Sequence, residues 1–352
     1  MARTKRIGLK LLQYSLVVGT LAWIVTQTEW DRTIDLLARV DLLVLAVVLC
    51  ATGLEFVCRF SMWNALLNGR RQTHIFTAAR IELVIKYVNH LLPSRVAGQS
   101  LAPLAIYHYT DHDWSEAVSI AGLSTGLHTI LYGAVAVAGL AIFANQLSGG
   151  ILIVLGLSAG LYVVIGALVL AAGRRLNVIS SLAITVGHGL PDVPIIGKRL
   201  ASLSNRLPSF TANAAAVFQE LSSNPWLLSI YLLSWTGTLM VFPGIRVWLL
   251  LTTLGKSFTP AVLLPVVLVT AYSVTLLPLT PGGIGVAEAS ATVVFVALGI
   301  PEAVAVPVVL LDRFLGVYLA ALLGWIPMLE VDLAELSLDR DQSAGTPPSP
   351  DE

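Results

Sequence analysis

Charge is what this sequence has least of. Asp, Glu, Lys and Arg make up 12% of its 352 residues, where soluble domains carry roughly a quarter. With 56% hydrophobic residues and a mean hydropathy of +0.81, that scarcity excludes an ordinary water-soluble domain and points to an integral membrane protein. Neither sign is in excess, because 21 basic residues balance 21 acidic ones. No basic stripe interleaved with aromatics offers a nucleic-acid surface. Cysteine is almost absent. Cys50 and Cys58 share one apolar run, and eight residues of helix set them about 12 Å apart, too far for a disulfide. Catalytic signatures are missing too: there is no Ser-His-Asp order, no HExxH and no paired-carboxylate arrangement, so the chain reads as no enzyme. "HYTDHDW" places His108 and His112 four apart beside two aspartates, but no third ligand has a suitable spacing, so neither a metal nor a cofactor is expected.

What the sequence does have is long apolar runs. Those near 7–27, 41–67, 115–144, 149–172, 226–252 and 302–328 are long enough to span a bilayer, which takes about 20 residues. Two further apolar regions, about 75–108 and 260–299, are interrupted in the middle. The first run follows a basic head, and no small-x-small site follows Val25, so a retained helix is expected and not a cleaved signal. The polar, basic stretch 173–225 is expected to carry an amphipathic helix from Gly197 to Leu221, lying on the membrane surface. Residues 330–352, ending "GTPPSPDE", read as a polar, partly disordered cytoplasmic tail.

Arginine and lysine set the orientation. Arg3, Lys5, Arg6 and Lys10 precede the first run; Arg70, Arg71 and Arg80 follow the second; Arg174, Arg175, Lys198, Arg199 and Arg206 fill the central loop. All are cytoplasmic only if one of the apolar regions between Arg80 and Arg174 fails to cross, and the interrupted one is the natural choice. Read as a hairpin with both ends inside, 75–108 leaves only Arg32, Arg39 and Lys256 on the opposite face. The expectation is a multi-pass protein of the cell membrane with a cytoplasmic N-terminus.

The two interrupted regions resemble each other. "LLPSRVAGQS" is followed by "WSEAVSIAGL", and "LLPLTPGGIG" by "IPEAVAVPVV"; Pro93 and Glu116 are 23 apart, Pro278 and Glu302 24 apart. Three spanning helices separate them, so the second hairpin would enter from the other face. The predicted architecture is an all-α polytopic membrane protein, an inverted repeat with two broken re-entrant helical hairpins. One transmembrane domain would cover 1–329, with repeat one at about 41–172, the connector at 173–225 and repeat two at about 226–329.

Irregular backbone at membrane depth survives only where protein or a water-filled cavity surrounds it. A half-helix starting there presents unpaired amides and a positive dipole end to an anion. Gly282, Gly283 and Gly285 would bare that backbone in the second hairpin, as would Gly98, Gln99 and Ser100 in the first, where Arg95 adds a guanidinium able to grip phosphate. The plainer reading of these glycines is a tight turn against a packed neighbour. Glu288 is either a first-turn cap or a proton site and partner for Arg95 or Arg313 in the empty cavity. Of the adjacent Asp312 and Arg313 one should face the interior, and Arg313 is the expected second anion grip. Glu55 with Arg59 and Glu82 with Lys86, each four apart, read as mutually neutralising, and Arg246 as snorkelling from the outer part of its helix. The "GGIG" run lacks the Lys-Ser/Thr pair of a nucleotide loop.

"NHLLPSRVAGQS", "LLPLTPGGIGVAEA" and a late "LLDRFLG" resemble the lysylphosphatidylglycerol synthase transmembrane (flippase-like) family over about 7–329. That family includes the membrane half of the bacterial multiple peptide resistance factor and archaeal proteins tied to lipid-linked sugars. The resemblance implies movement of a lipid with a charged head, with Pro93, Arg95, Gly98, Pro281, Gly282, Gly283, Gly285, Glu288 and Arg313 at matching positions. Gln99 and Ala102 stand where relatives commonly carry Glu and Arg, and Gly126, Leu127 and His128 where many carry an acidic-arginine pair; in this the chain is more similar to archaeal members. The aminoacyl-transferase domain of the bifunctional relatives is not present in these 352 residues. The expected function is translocation of an anionic lipid, such as a polyprenyl-phosphate sugar or charged phospholipid. The alternatives are a non-transporting lipid-binding partner of a membrane glycosyltransferase and a proton-coupled transporter of small solutes.

Overall fold

The structure, a computed structural model, describes residues 41–91, 101–174, 212, 214–277 and 283–329. The first apolar run, most of the connector, the C-terminal tail and both hairpin tips lie outside them. Pro93, Arg95, Gly98, Gln99, Pro278, Pro281 and Gly282 therefore fall outside the described residues. Among the described residues the regular structure is helical throughout, and five helices are long and apolar enough to cross a membrane. The chain is an all-α, multi-pass membrane protein.

Helix α1 (Leu42–Asn68) opens where the Asp41 carboxylate accepts a hydrogen bond from the Leu43 amide at 2.8 Å, supplying one of the partners a helix start lacks. The first interrupted region is a helix pair, α2 (Ile75–Leu91) and α3 (Ala102–Tyr109), whose members pack on each other. With eight residues, α3 is about 12 Å long and cannot cross a hydrocarbon core of about 30 Å. Asp113 and Glu116 then form a capping box that starts α4 (Trp114–Phe143). Against α4 runs α5 (Gly149–Arg174) in an extensive antiparallel contact.

The second half is built from four further helices among the described residues. Helix α6 (Pro225–Thr253) begins at the Asn224 cap and widens into a π turn at Gly237–Val241, just before Pro243. A proline in mid-helix removes one backbone donor, and the wider turn accommodates the loss. The second interrupted region is again a packed pair, α7 (Ala261–Leu276) and α8 (Val286–Ala297). Helix α9 (Glu302–Met328) closes the bundle and carries a second π turn at Phe314–Tyr318. Glu116 and Glu302 both stand in the first turn of the long helix that follows an interrupted region.

Two apolar cores result. One joins α1 through α4 and includes Trp63, Leu66, Ile81, Ile85 and Ile106; the other gathers α6 to α9 around Val247, Leu268, Phe295 and Val309. Outward faces of α1 and α5 expose Leu49, Leu54, Leu157 and Leu168, as lipid-facing surfaces do. The described end of the expected amphipathic helix, 214–223, is helical, but it is no free surface helix. Its apolar side (Val217, Phe218, Leu221) is buried in the first core, and Ser119 of α4 donates a hydrogen bond to the Ala214 carbonyl at 2.8 Å.

Candidate functional site

Seven charged residues carried by the apolar helices converge on one place. A cavity of about 150 Å³ opens among α1, α2, α4, α6, α7 and α9, lined by Glu55, Arg59, Glu82, Lys86, Arg246, Asp312 and Arg313. Each charged group reaches it from a helix held by apolar packing, and each finds an opposite charge, as charges removed from water must.

The contacts form a chain that crosses the bundle. Lys86 Nζ stands 3.4 Å and Arg59 Nη1 3.6 Å from Glu82 Oε1, while Glu82 Oε2 accepts a hydrogen bond from the Trp63 indole at 2.6 Å. Arg59 Nη2 meets Glu55 Oε1 at 2.5 Å, and Glu55 Oε2 accepts from Arg246 Nη1 at 2.6 Å. Arg246 then grips Asp312 Oδ1 through Nε and Nη2, at 2.8 and 2.6 Å, and the Tyr272 hydroxyl donates to Asp312 Oδ2 at 2.9 Å. On the adjacent residue, Arg313 Nε donates to Glu288 Oε1 at 2.9 Å, between the rings of Tyr272 and Tyr318, whose centroids lie 5.3 and 5.5 Å from its guanidinium carbon. Tyr318 also donates its hydroxyl proton to Glu288. The network thus joins the helix before the first interruption to the helix after the second.

Gly316, in the π turn of α9, makes room for this. Its carbonyl accepts from Arg59 Nη2 at 3.2 Å, and a Cβ there would lie 2.7 Å from Arg246 Nη2 and 3.3 Å from Glu55 Oε1. No larger residue fits without moving the ion pairs.

Helix α4 adds polar side chains to the lining. Ser124, Thr125, His128, Thr129 and Tyr132, spaced by helical turns on α4, line the same cavity. Several buried groups on the cavity wall have no hydrogen-bond partner among the described residues: Arg59 Nε, Arg313 Nη2, Asn89 Oδ1 and Thr238 Oγ1. Buried polar groups are almost always paired, so two guanidinium donors left over beside a cavity mark a place for an acceptor.

Of the residues expected from sequence, Glu288 and Arg313 come together, and Glu288 both caps its helix and pairs with the arginine. Its Oε2 caps α8 by accepting from the Gly285 amide at 2.7 Å while Oε1 pairs with Arg313. Gly283 and Gly285 take φ of +74° and +80°, a left-handed backbone that by itself accounts for glycine at both positions. Asp312 and Arg313 both face inward, where one was expected to.

Arg246 overturns its expectation. It does not snorkel; its side chain is 1% exposed and holds two carboxylates at the centre of the network. Nor are Glu55–Arg59 and Glu82–Lys86 closed local pairs, because Arg59 bridges them and Arg246 extends the first. Sequence reasoning passed over Glu55, Arg59, Glu82 and Arg246 as site residues. The available signal was their position inside apolar runs, where ionisable groups are costly.

His108 and His112 do not share a site. His112 is buried in the turn before α4, with its ring nitrogens 3.2 Å from the Leu67 carbonyl and 2.9 Å from Thr110 Oγ1, whereas His108 is exposed on α3. Burial pushes the His112 imidazole below its usual value. No group of three or more His, Cys, Asp or Glu side chains among the described residues is placed to hold a metal ion.

No solved structure matches this chain. A UPF0104 membrane protein of Methanocaldococcus jannaschii is 36% identical over 89 residues, which are 25% of this chain and 26% of that protein. The match therefore spans about a quarter of each. The lysylphosphatidylglycerol synthase TM region family matches residues 10–324, nearly the whole of the bundle and its network. The chain belongs to that family.

Proposed function

We propose that this protein binds the headgroup of an anionic lipid in the charged cavity and moves it across the cell membrane while the tail stays in the bilayer. The lipid class is a polyprenyl-phosphate sugar or a charged phospholipid. The observation that carries this reading is the pair of guanidinium groups, Arg59 and Arg313, that line a polar cavity and each keep a buried nitrogen without a hydrogen-bond partner among the described residues. A phosphate oxygen is a strong acceptor for such donors, and each charge-assisted hydrogen bond is worth roughly 1.5–3 kcal/mol. Membership of a lipid-related membrane family supports the same class of ligand. Carboxylates hold the arginines in place without a headgroup, so the site does not collapse when empty. No covalent step belongs to this reading.

The test is translocation of a fluorescent phosphatidylglycerol in reconstituted vesicles, with headgroup binding measured in parallel. The native protein should move the lipid, and Arg59→Gln and Arg313→Gln should each weaken binding by about 10-fold or more. Normal binding and transport by both variants would sink the reading. A native protein that binds the lipid but never moves it would replace translocation with presentation to a membrane glycosyltransferase.

A further inference from the structure

Among the described residues, charge in the ionic network is balanced before any ligand arrives. Four cations (Arg59, Lys86, Arg246 and Arg313) face four carboxylates (Glu55, Glu82, Asp312 and Glu288) through direct contacts. A phosphodiester headgroup carries one negative charge into this neutral site. A buried charge without a counter-charge costs several kcal/mol, so one carboxylate must give up its own.

The distances single out which one. Glu55, Asp312 and Glu288 each meet an arginine nitrogen at 2.5–2.9 Å. Glu82 has the longest ionic contacts of the network, at 3.4 and 3.6 Å, and its one short hydrogen bond comes from a neutral indole. The two cations that Glu82 touches both line the cavity that would receive the headgroup. Arg59 has an unpartnered Nε–H, and Lys86 is the most exposed cation of the network, with a side chain 25% exposed.

Resting on the lipid-binding reading, we propose that Glu82 is the coupling site: an anionic headgroup held by Arg59 and Arg313 also meets Lys86, and Glu82 takes up one proton from water as it binds. The step balances. One negative charge enters with the phosphodiester and one positive charge with the proton, so the cavity stays neutral. Protonated at Oε1, Glu82 donates to a phosphate oxygen, while Oε2 keeps the Trp63 hydrogen bond. The surrounding groups leave it this role. From α1 it faces Arg59, with Glu55 beyond, and from its own helix Lys86 and His90. His128 of α4 lines the same cavity, and Tyr231 of α6 lies within its field, its hydroxyl donating to the Ser124 carbonyl. On α9, Asp312 and Arg313 are held by Arg246 and Glu288, and α3 turns His108 outward.

The experiment is calorimetric titration of the purified full chain in detergent, at one pH, in buffers of different ionisation enthalpy. Two probes that do not titrate near neutrality are used: glycerophosphoglycerol, a soluble phosphodiester, and dihexanoyl phosphatidylglycerol. The native protein should take up about one proton per lipid bound, and its affinity should fall about tenfold per unit rise in pH. Glu82→Gln should bind without uptake and lose that dependence. Native binding without proton uptake, or uptake that persists in Glu82→Gln, overturns the coupling and leaves the lipid reading standing. Uptake with the soluble probe alone supports the coupling and overturns the lipid reading. Binding of neither probe overturns both.

Discussion

Two ionic clusters of similar composition sit in different surroundings in this molecule. At one end of the bundle, Arg70 pairs with Glu220 at 2.5 Å and Glu116 at 3.4 Å, and Arg71 with Glu116 at 3.3 Å. In the middle, Arg246 holds Glu55 and Asp312 at 2.6 Å each, close to the shortest rim contact, and Arg313 holds Glu288 at 2.9 Å. Burial separates the two clusters. The side chains of Arg70 and Arg71 are 36% and 46% exposed, and those of Arg246 and Arg313 are 1% and 2% exposed. Although the Glu116 carboxylate between the two rim arginines is itself buried, water at the rim solvates an arginine whose partner is lost. In the cavity nothing does, so the same contact distance carries a very different energetic consequence. A rim cluster ties the α1–α2 turn to the 214–223 helix; a buried one is tolerated in an apolar bundle only for a reason beyond stability.

Mutations that empty one side of a pair sharpen the contrast. Arg246→Gln leaves Glu55 and Asp312 facing each other without their shared cation, and should cost about 3–5 kcal/mol. Thermal unfolding of the detergent-solubilised protein would register this as the largest loss in the series; a loss below about 1 kcal/mol would put Arg246 in the class of the rim arginines. Gly316→Ala comes next. Its Cβ must displace the Arg246 guanidinium, as overpacking does at about 1–3 kcal/mol, and it should weaken headgroup binding along with stability. An effect on neither would mean that the α9 turn yields freely.

At the rim, Arg70→Gln or Glu220→Gln should shift stability by about 0–1 kcal/mol, and raised salt should erase the difference. A salt-independent loss as large as that of Arg246→Gln would abolish the comparison. The smallest effect belongs to His112. Its folded-state value is depressed by burial, so the folded protein binds its proton less readily than the unfolded chain does. Stability from this group is present above the usual imidazole range, near 6.5, and is lost as pH falls below it. His112→Gln should flatten the decline in melting temperature between pH 7 and pH 5. An unchanged decline would assign it to other groups.

The contrast also explains what could be read from the sequence. Spans were legible because hydropathy averages over about 20 residues, and α1, α4, α5, α6 and α9 fall close to the expected runs. The interruptions were legible through proline and glycine. The network was not, because its links are long in sequence: Arg246 and Glu55 are 191 residues apart, and Arg59 reaches Gly316 across 257. Spacing of four residues instead suggested that Glu55 and Arg59 satisfy each other, a local answer that is true for one oxygen and silent about the second. Asp312 and Arg313 diverge on the helix as neighbours must. Both are nonetheless buried, because α9 has the cavity on one side and α8 on the other. Only tertiary packing decides that.

The most direct measurement of the central claim, that the buried charged cavity receives an anionic headgroup, is an experimental density map of the protein with dihexanoyl phosphatidylglycerol bound. The account predicts the phosphate in the cavity, with its oxygens about 2.7–3.2 Å from nitrogens of Arg59 and Arg313. A phosphate found only at the bundle rim beside Arg70 and Arg71, with the Glu55–Arg246–Asp312 cluster sealed against it, would contradict the account.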